Sequence, residues 1–116
     1  GGSIPLKQSL MNFNAFIASS VGRRKDFRIW ANDPDFDITI LVNAYAAFGI
    51  RPAFKYWQGR SVRTMRDLGR TFGVHMPQPG GNKHDALYDA IIQTSDVVLV
   101  HAAIAEKMNA NKQTLP

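Results

Sequence analysis

His84-Asp85-Ala86-Leu87-Tyr88-Asp89 and, upstream of it, Asn32-Asp33-Pro34-Asp35-Phe36-Asp37 are the two stretches on which the reading of this chain turns. Carboxylates that converge on one or two divalent ions polarise a phosphate, acidify a bound water and stabilise a leaving oxygen. Asp37 falls in the first turn of a mostly apolar helical segment that follows a short extended run. Its side chain is therefore expected at the carboxyl end of a strand, where open sheets form their sites. Burial there would make an unpaired carboxylate costly, and a metal ion or basic partner would relieve that cost. The simpler account is an acid at a helix N-terminus, favoured by the macrodipole.

Asp85 and Asp89 are four apart on a final helix and face the same way. Asp85 is explained as an N-cap or first-turn acid. Asp89 lies a turn deeper, beside Ala86 and Ala90, whose small side chains admit another element or a metal, so it is the better ligand candidate. His84, after the loop containing Pro77, Pro79, Gly80 and Gly81, is a general-base candidate, because an imidazole ordinarily titrates near neutral pH and a loop position opens to solvent; the simpler account is an exposed cap at a helix start. His101, in an apolar stretch, reads as a packed residue, and His75 as a loop residue.

The remaining composition limits what else the chain can be. A chain of 116 residues fits one domain and buries roughly two thirds of its unfolded surface. The apolar fraction is 45%, and no uninterrupted apolar run approaches the roughly 20 residues of a bilayer span. A soluble, cytoplasmic protein without a membrane partner is expected. With no cysteine, disulfides and thiolate metal sites are excluded, and any metal must be held by carboxylate, imidazole, carbonyl or water. The net charge of +5 is uneven: Arg51, Lys55, Arg60, Arg63, Arg66 and Arg70 face only Asp67 in the same stretch. That is a candidate footprint for a polyanion, or a solubilising surface.

Helical periodicity dominates the chain. Pro5, suited to a first helical position, precedes an apolar stripe of Leu6, Leu10, Phe13, Ile17 and Val21, ended by Gly22. Phe27 to Ala31 alternates like a short strand, and Asn32-Asp33-Pro34-Asp35 breaks it, with Asp33 extended before proline and Asp35 able to cap the next helix. That helix, apolar almost all round from Phe36 to Phe48, is expected to be substantially buried. Residues 50 to 62 read as a loop or edge strand, with a short extended piece near Val62-Arg63-Thr64. Thr64 then caps a short helix containing Met65, Leu68 and Phe72. Leu87, Ile91, Val98 and Ile104 mark the apolar side of the last helix, and Asn109 to Pro116 reads as a frayed tail. Four helices and only one or two short strands make a sparse sheet, because two strands are marginal alone.

Taken together, N-x-x-x-[FY]-D at Asn32 to Asp37 and H-x-A-x-x-D at His84 to Asp89 resemble the DEDDh exonucleases. Ile29-Trp30-Ala31-Asn32, Asp35-Phe36-Asp37 and Val62-Arg63-Thr64 with Asp67-Leu68 are similar to the RNase T-like, exonuclease VIII-like branch common in phages and prophages. The resemblance covers most of residues 5 to 105. It implies a partial RNase H-like α/β fold, stepwise 3′-to-5′ hydrolysis of RNA or DNA to mononucleotides, and a pair of Mg²⁺ or Mn²⁺ ions. It also implies roles: Asp37 and Asp89 on the metals, and His84 as general base. Arg63 matches a recurrent arginine of that branch. Arg63, Lys55, Trp57 and Asn32 are substrate-binding candidates for a single-stranded 3′ end.

The family's first motif, Asp-x-Glu on the first strand, has no counterpart, since the only glutamate is Glu106. The first three strands of the sheet are missing with it. Residues 1–4 then read as a tag or linker, 5–109 as the C-terminal portion of an exonuclease domain, and 110–116 as a tail. An inactive fragment is expected, completed by a second copy or by the missing strands in trans. The alternative is a non-catalytic basic module that binds nucleic acid or protein, with Tyr56 and Trp57 stacking on bases.

Overall fold

A computed structural model describes residues 4–77 and 85–114. In chain order it has α1 (Leu6–Val21), β1 (Ile29–Ala31), α2 (Pro34–Ala47), a 3-10 turn (Tyr56–Gln58), β2 (Gly59–Ser61), α3 (Val62–Thr71) and α4 (Ala86–Thr114). β1 and β2 pair in parallel, so the chain is the mainly helical α/β protein with a minimal sheet that its sequence implies. It divides into two compact units, Gly1–Arg60 and Ser61–Pro116.

In the first unit α1 starts one residue later than expected. Pro5 holds the cap position, and Gly22 closes the helix with a φ of 61°. Leu10 and Ile17 of α1, Ile38 and Tyr45 of α2, and Phe54 of the following loop form the core. Phe54 lies between two rings, 6.5 Å from Phe13 and 6.0 Å from Tyr45, the latter edge-on. The polar tip of Tyr45 is satisfied inside: its hydroxyl donates to Asn14 Oδ1 at 2.8 Å, with the Leu10 carbonyl a second acceptor at 3.2 Å. Asn14 also accepts from Ala53 N and donates to Arg51 O, both at 2.9 Å, which ties the loop after α2 onto α1.

The expected burial of α2 is not met. Only Ile38 and Tyr45 are buried, whereas Phe36 is 64% and Ile40 54% exposed. The helix is apolar on several sides, and the described residues supply packing partners for one.

The second unit is an α3/α4 pair. Ser61, not Thr64, caps α3: its extended backbone lets Oγ accept from Thr64 N at 3.0 Å. The expected extended piece at Val62-Arg63-Thr64 is therefore the first turn of α3, and the strand lies just upstream. Gly69 faces fully buried Val100 so closely that a Cβ there would lie 2.6 Å from a valine methyl. Beside this contact Arg66 Nε donates to Asp96 Oδ2 at 2.8 Å, and Asp96 is only 6% exposed.

On α4 the covered stripe is Ile92, Asp96, Val100 and Ile104, while Leu87, Ile91 and Val98 are exposed, contrary to the sequence reading. His101 is exposed too, so it is not a packed residue. The helix also continues to Thr114 through the expected tail. By length and composition alone, with a mean hydropathy of 1.3 over its most apolar 18 residues, α4 reaches what a bilayer span needs. Charged residues interrupt its apolar runs, and the Arg66–Asp96 pair in its middle is a device of helix packing.

Candidate active site

Asn32 and Asp37 lie at the carboxyl end of β1, where the strand turns into α2. Asp33 takes the cap position and Pro34 the first helical one, because proline has no N–H to leave unpaired there. Asp33 O accepts from Phe36 N at 3.1 Å and Asp37 N at 2.8 Å. In return Asp37 Oδ2 accepts from Asp33 N at 3.3 Å, a weak reciprocal bond that holds the carboxylate over the helix N-terminus. Asp35 makes no cap, so the expectation for it fails; its carbonyl instead accepts from Thr39 Oγ1 at 2.6 Å. Asp37 is exposed. The desolvation argument for a metal therefore lapses, because water already solvates this carboxylate, while the argument from its position at the strand end stands.

In the second unit Asp85 is the cap that the sequence suggests: its Oδ1 accepts from Leu87 N at 2.9 Å and Tyr88 N at 3.1 Å. Asp89, whose N–H donates to Asp85 O at 2.9 Å, sits one turn deeper and is half-buried. Its carboxylate is thus separated in role from the capping one. His84 lies outside the described residues. Arg63 is exposed in the first turn of α3.

Lys55 and Trp57 are not at the strand end that carries Asn32 and Asp37. They precede β2, at the amino ends of the parallel strands, with Trp57 62% exposed and edge-on to Tyr56 at 5.2 Å. The broad basic stretch also shrinks: Arg66 binds Asp96, Arg70 binds Asp67 at 3.0 Å, and Arg60 donates to the carbonyls of Trp57 and Gly59.

Sequence reasoning missed Gln58, a buried side chain that fastens two loops together. Its Oε1 accepts from Lys55 N at 2.7 Å, and its Nε2 donates to Lys25 O at 3.2 Å and Phe27 O at 3.0 Å. The reading of residues 50 to 62 as a loop or edge strand holds no signal for it.

Among the described residues no three His, Cys, Asp or Glu side chains cluster to hold an ion. Asp37 and Asp89 are the hard oxygen donors that Mg²⁺ or Mn²⁺ prefers, but two carboxylates fall short of a two-ion site. No curated protein and no solved structure matches the chain. Over residues 1–100, however, it matches the model of a family described as the 3′-5′ exoribonuclease Rv2179c-like domain. With that match over most of its length, the chain belongs to the Rv2179c-like family of 3′-5′ exoribonuclease domains.

Proposed function

We propose that this chain carries half of a metal-dependent 3′-to-5′ exonuclease centre of DEDDh type, acting on single-stranded RNA ends. The observation that carries the reading is the position of Asp37: first turn of α2, at the carboxyl end of β1, beside Asn32. In this reading Asp37 and Asp89 hold divalent ions, and His84 takes a proton from the attacking water. The ions, when bound, would supply charge neutralisation at the scissile phosphate. Asn32 and Arg63 orient the strand. The likeness of the Asn32 and Val62 segments to the RNase T-like, exonuclease VIII-like branch supports the lineage.

Without an Asp-x-Glu pair the 116-residue chain is proposed to be inactive by itself, because two exposed or half-buried acids bind Mg²⁺ weakly. The missing acids would come from upstream polypeptide or a partner chain. The exposed Phe36 and Ile40 on α2, and Leu87, Ile91 and Val98 on α4, support association of this kind.

The test is reconstitution. The chain alone is expected to release no mononucleotides from labelled RNA in Mn²⁺, and fusion to a strand bearing Asp-x-Glu is expected to create release. Asp37→Ala, Asp89→Ala or His84→Ala should then remove at least about a hundredfold of it, the range for one acid–base or metal group. Robust hydrolysis by the unfused chain would overturn the half-site reading. Undiminished hydrolysis in the fused Asp37→Ala variant would overturn the assignment of that residue.

A further inference from the structure

At the opposite end of the sheet from Asn32 and Asp37, the first unit has a cleft of about 760 Å³. Its walls are Arg23, Arg24, Lys25 and Phe27, which precede β1, and Lys55 and Trp57, which precede β2. Because the strands are parallel, both loops lie at their amino ends. The two sites are thus separated by the length of β1, roughly 10 Å for three residues.

Charge and shape agree on what fits. Four cations line the cleft and no carboxylate does. None of the four takes part in an ion pair among the described residues. Their neighbours are aromatic: Phe27 is half-buried, while Trp57 keeps a largely solvent-accessible ring braced by Tyr56. Cations beside an accessible indole are the combination that binds single-stranded nucleic acid, phosphates to the charges and a base to the ring. An acidic peptide would use the cations and leave the aromatic wall unexplained. The cleft is also held in shape, because buried Gln58 joins the Lys25–Phe27 backbone to that of Lys55 through three hydrogen bonds.

We propose that this cleft is a second nucleic-acid site, distinct from the candidate catalytic acids, which grips one or two nucleotides of single-stranded RNA away from the end being processed. Arg23, Arg24, Lys25 and Lys55 bind the phosphates, and Trp57 stacks on a base. The assignment rests on nucleic acid being the substrate class of the family, and it does not rest on the metal site. An RNA long enough to occupy both ends of the sheet binds more tightly than one confined to the catalytic end.

Fluorescence anisotropy of a fluorescein-labelled oligouridylate with the full chain, in EDTA and over a salt series, tests this. Trp57→Ala is expected to weaken binding about 5- to 150-fold, the range for losing one stacking platform, with the salt slope unchanged. The Arg23→Ala, Arg24→Ala double variant is expected to lower the slope by about 1.4, at about 0.7 per phosphate contact on single strands. Circular dichroism checks that both remain folded. Wild-type affinity and slope in both variants would overturn the proposal, as would equal competition by polyglutamate or by phosphatidylserine vesicles. The catalytic assignment fails separately, through hydrolysis that survives Asp37→Ala in the fused protein.

Discussion

Gly69→Ala is the substitution whose outcome the structure constrains most tightly. The added Cβ would lie 2.6 Å from Val100 Cγ2 and 3.3 Å from Cγ1. Carbon atoms rest at about 3.5–4.0 Å, so the closer overlap is on the order of 1 Å. Val100 cannot swing aside cheaply, because it is fully buried and a valine in a helix keeps essentially one χ1 rotamer. The helices must part, at a cost of about 1–3 kcal/mol for overpacking, against about 1 kcal/mol gained by replacing glycine inside a helix. The net expectation is a loss of about 1 kcal/mol. Val100→Ala alone loses two buried methyls, about 1–3 kcal/mol, by analogy with the single-methyl cost of Ile→Val. In the double variant the clash disappears and the propensity gain remains, so it should be more stable than the sum of the single effects by about 1–3 kcal/mol. Urea unfolding of the four proteins at one pH measures this cycle. Additivity within about 0.5 kcal/mol, or stabilisation by Gly69→Ala alone, would refute the close contact as what seats α4, the helix that carries Asp89.

Two further outcomes follow from the cores of the two units. Burial pushes the Tyr45 hydroxyl above its usual pKa of 10.0, so the native state keeps a proton that the unfolded chain gives up. That contribution is complete below pH 10 and is lost as pH rises through the higher native value, with a slope of at most about 1.4 kcal/mol per pH unit. Tyr45→Phe should cost about 0.5–1.5 kcal/mol at pH 8, for the bond to Asn14, and lose stability less steeply than wild type above pH 10; equal alkaline slopes would count against it. Arg66→Ala leaves Asp96 covered without its partner and should cost about 2–3 kcal/mol, discounted for the 24% exposure of the arginine side chain. Arg66→Met with Asp96→Leu should return to within about 1 kcal/mol of wild type in thermal melts, and failure to recover would mean that the pair contributes more than mutual compensation.

What the sequence discloses is local, and what it withholds depends on neighbours. The cap at Asp85 and the stop at Gly22 follow from backbone chemistry that acts within a few residues, and both are observed. The strand-end position of Asp37 is legible for the same reason. Which side of α4 is covered is not, because Leu87, Ile91 and Val98 are as apolar as Ile92, Val100 and Ile104, and only the contact with α3 selects between the stripes. α2 poses the same ambiguity. Asp96 and Arg66 are thirty residues apart, and neither has a local pattern that announces the other. Gln58 is the clearest case: its three bonds reach two separate segments, and no periodicity could have named them.

The redistribution of positive charge has a physical logic of its own. A candidate ion site built from carboxylates repels the polyanion it must act on until metal arrives, so cations are needed to hold the strand. Cations placed directly against Asp37 or Asp89 would pair with them, as Arg66 does with Asp96, and both charges would be withdrawn from their tasks. Setting Arg23, Arg24, Lys25 and Lys55 at the amino ends of the strands, with Asp37 beyond the carboxyl end of β1, puts about a Debye length of solvent-exposed distance between the two charge sets at physiological salt. In the proposed arrangement each would then act on the nucleic acid rather than on the other. The separation also predicts a kinetic signature: in a reconstituted enzyme, Arg23→Ala with Arg24→Ala should raise KM for long RNA while leaving the maximal rate of phosphodiester cleavage unchanged, because the lost contacts hold ground state and transition state equally. A matching fall in kcat would mean that the cleft takes part in the chemical step, and that the two ends of the sheet are not independent.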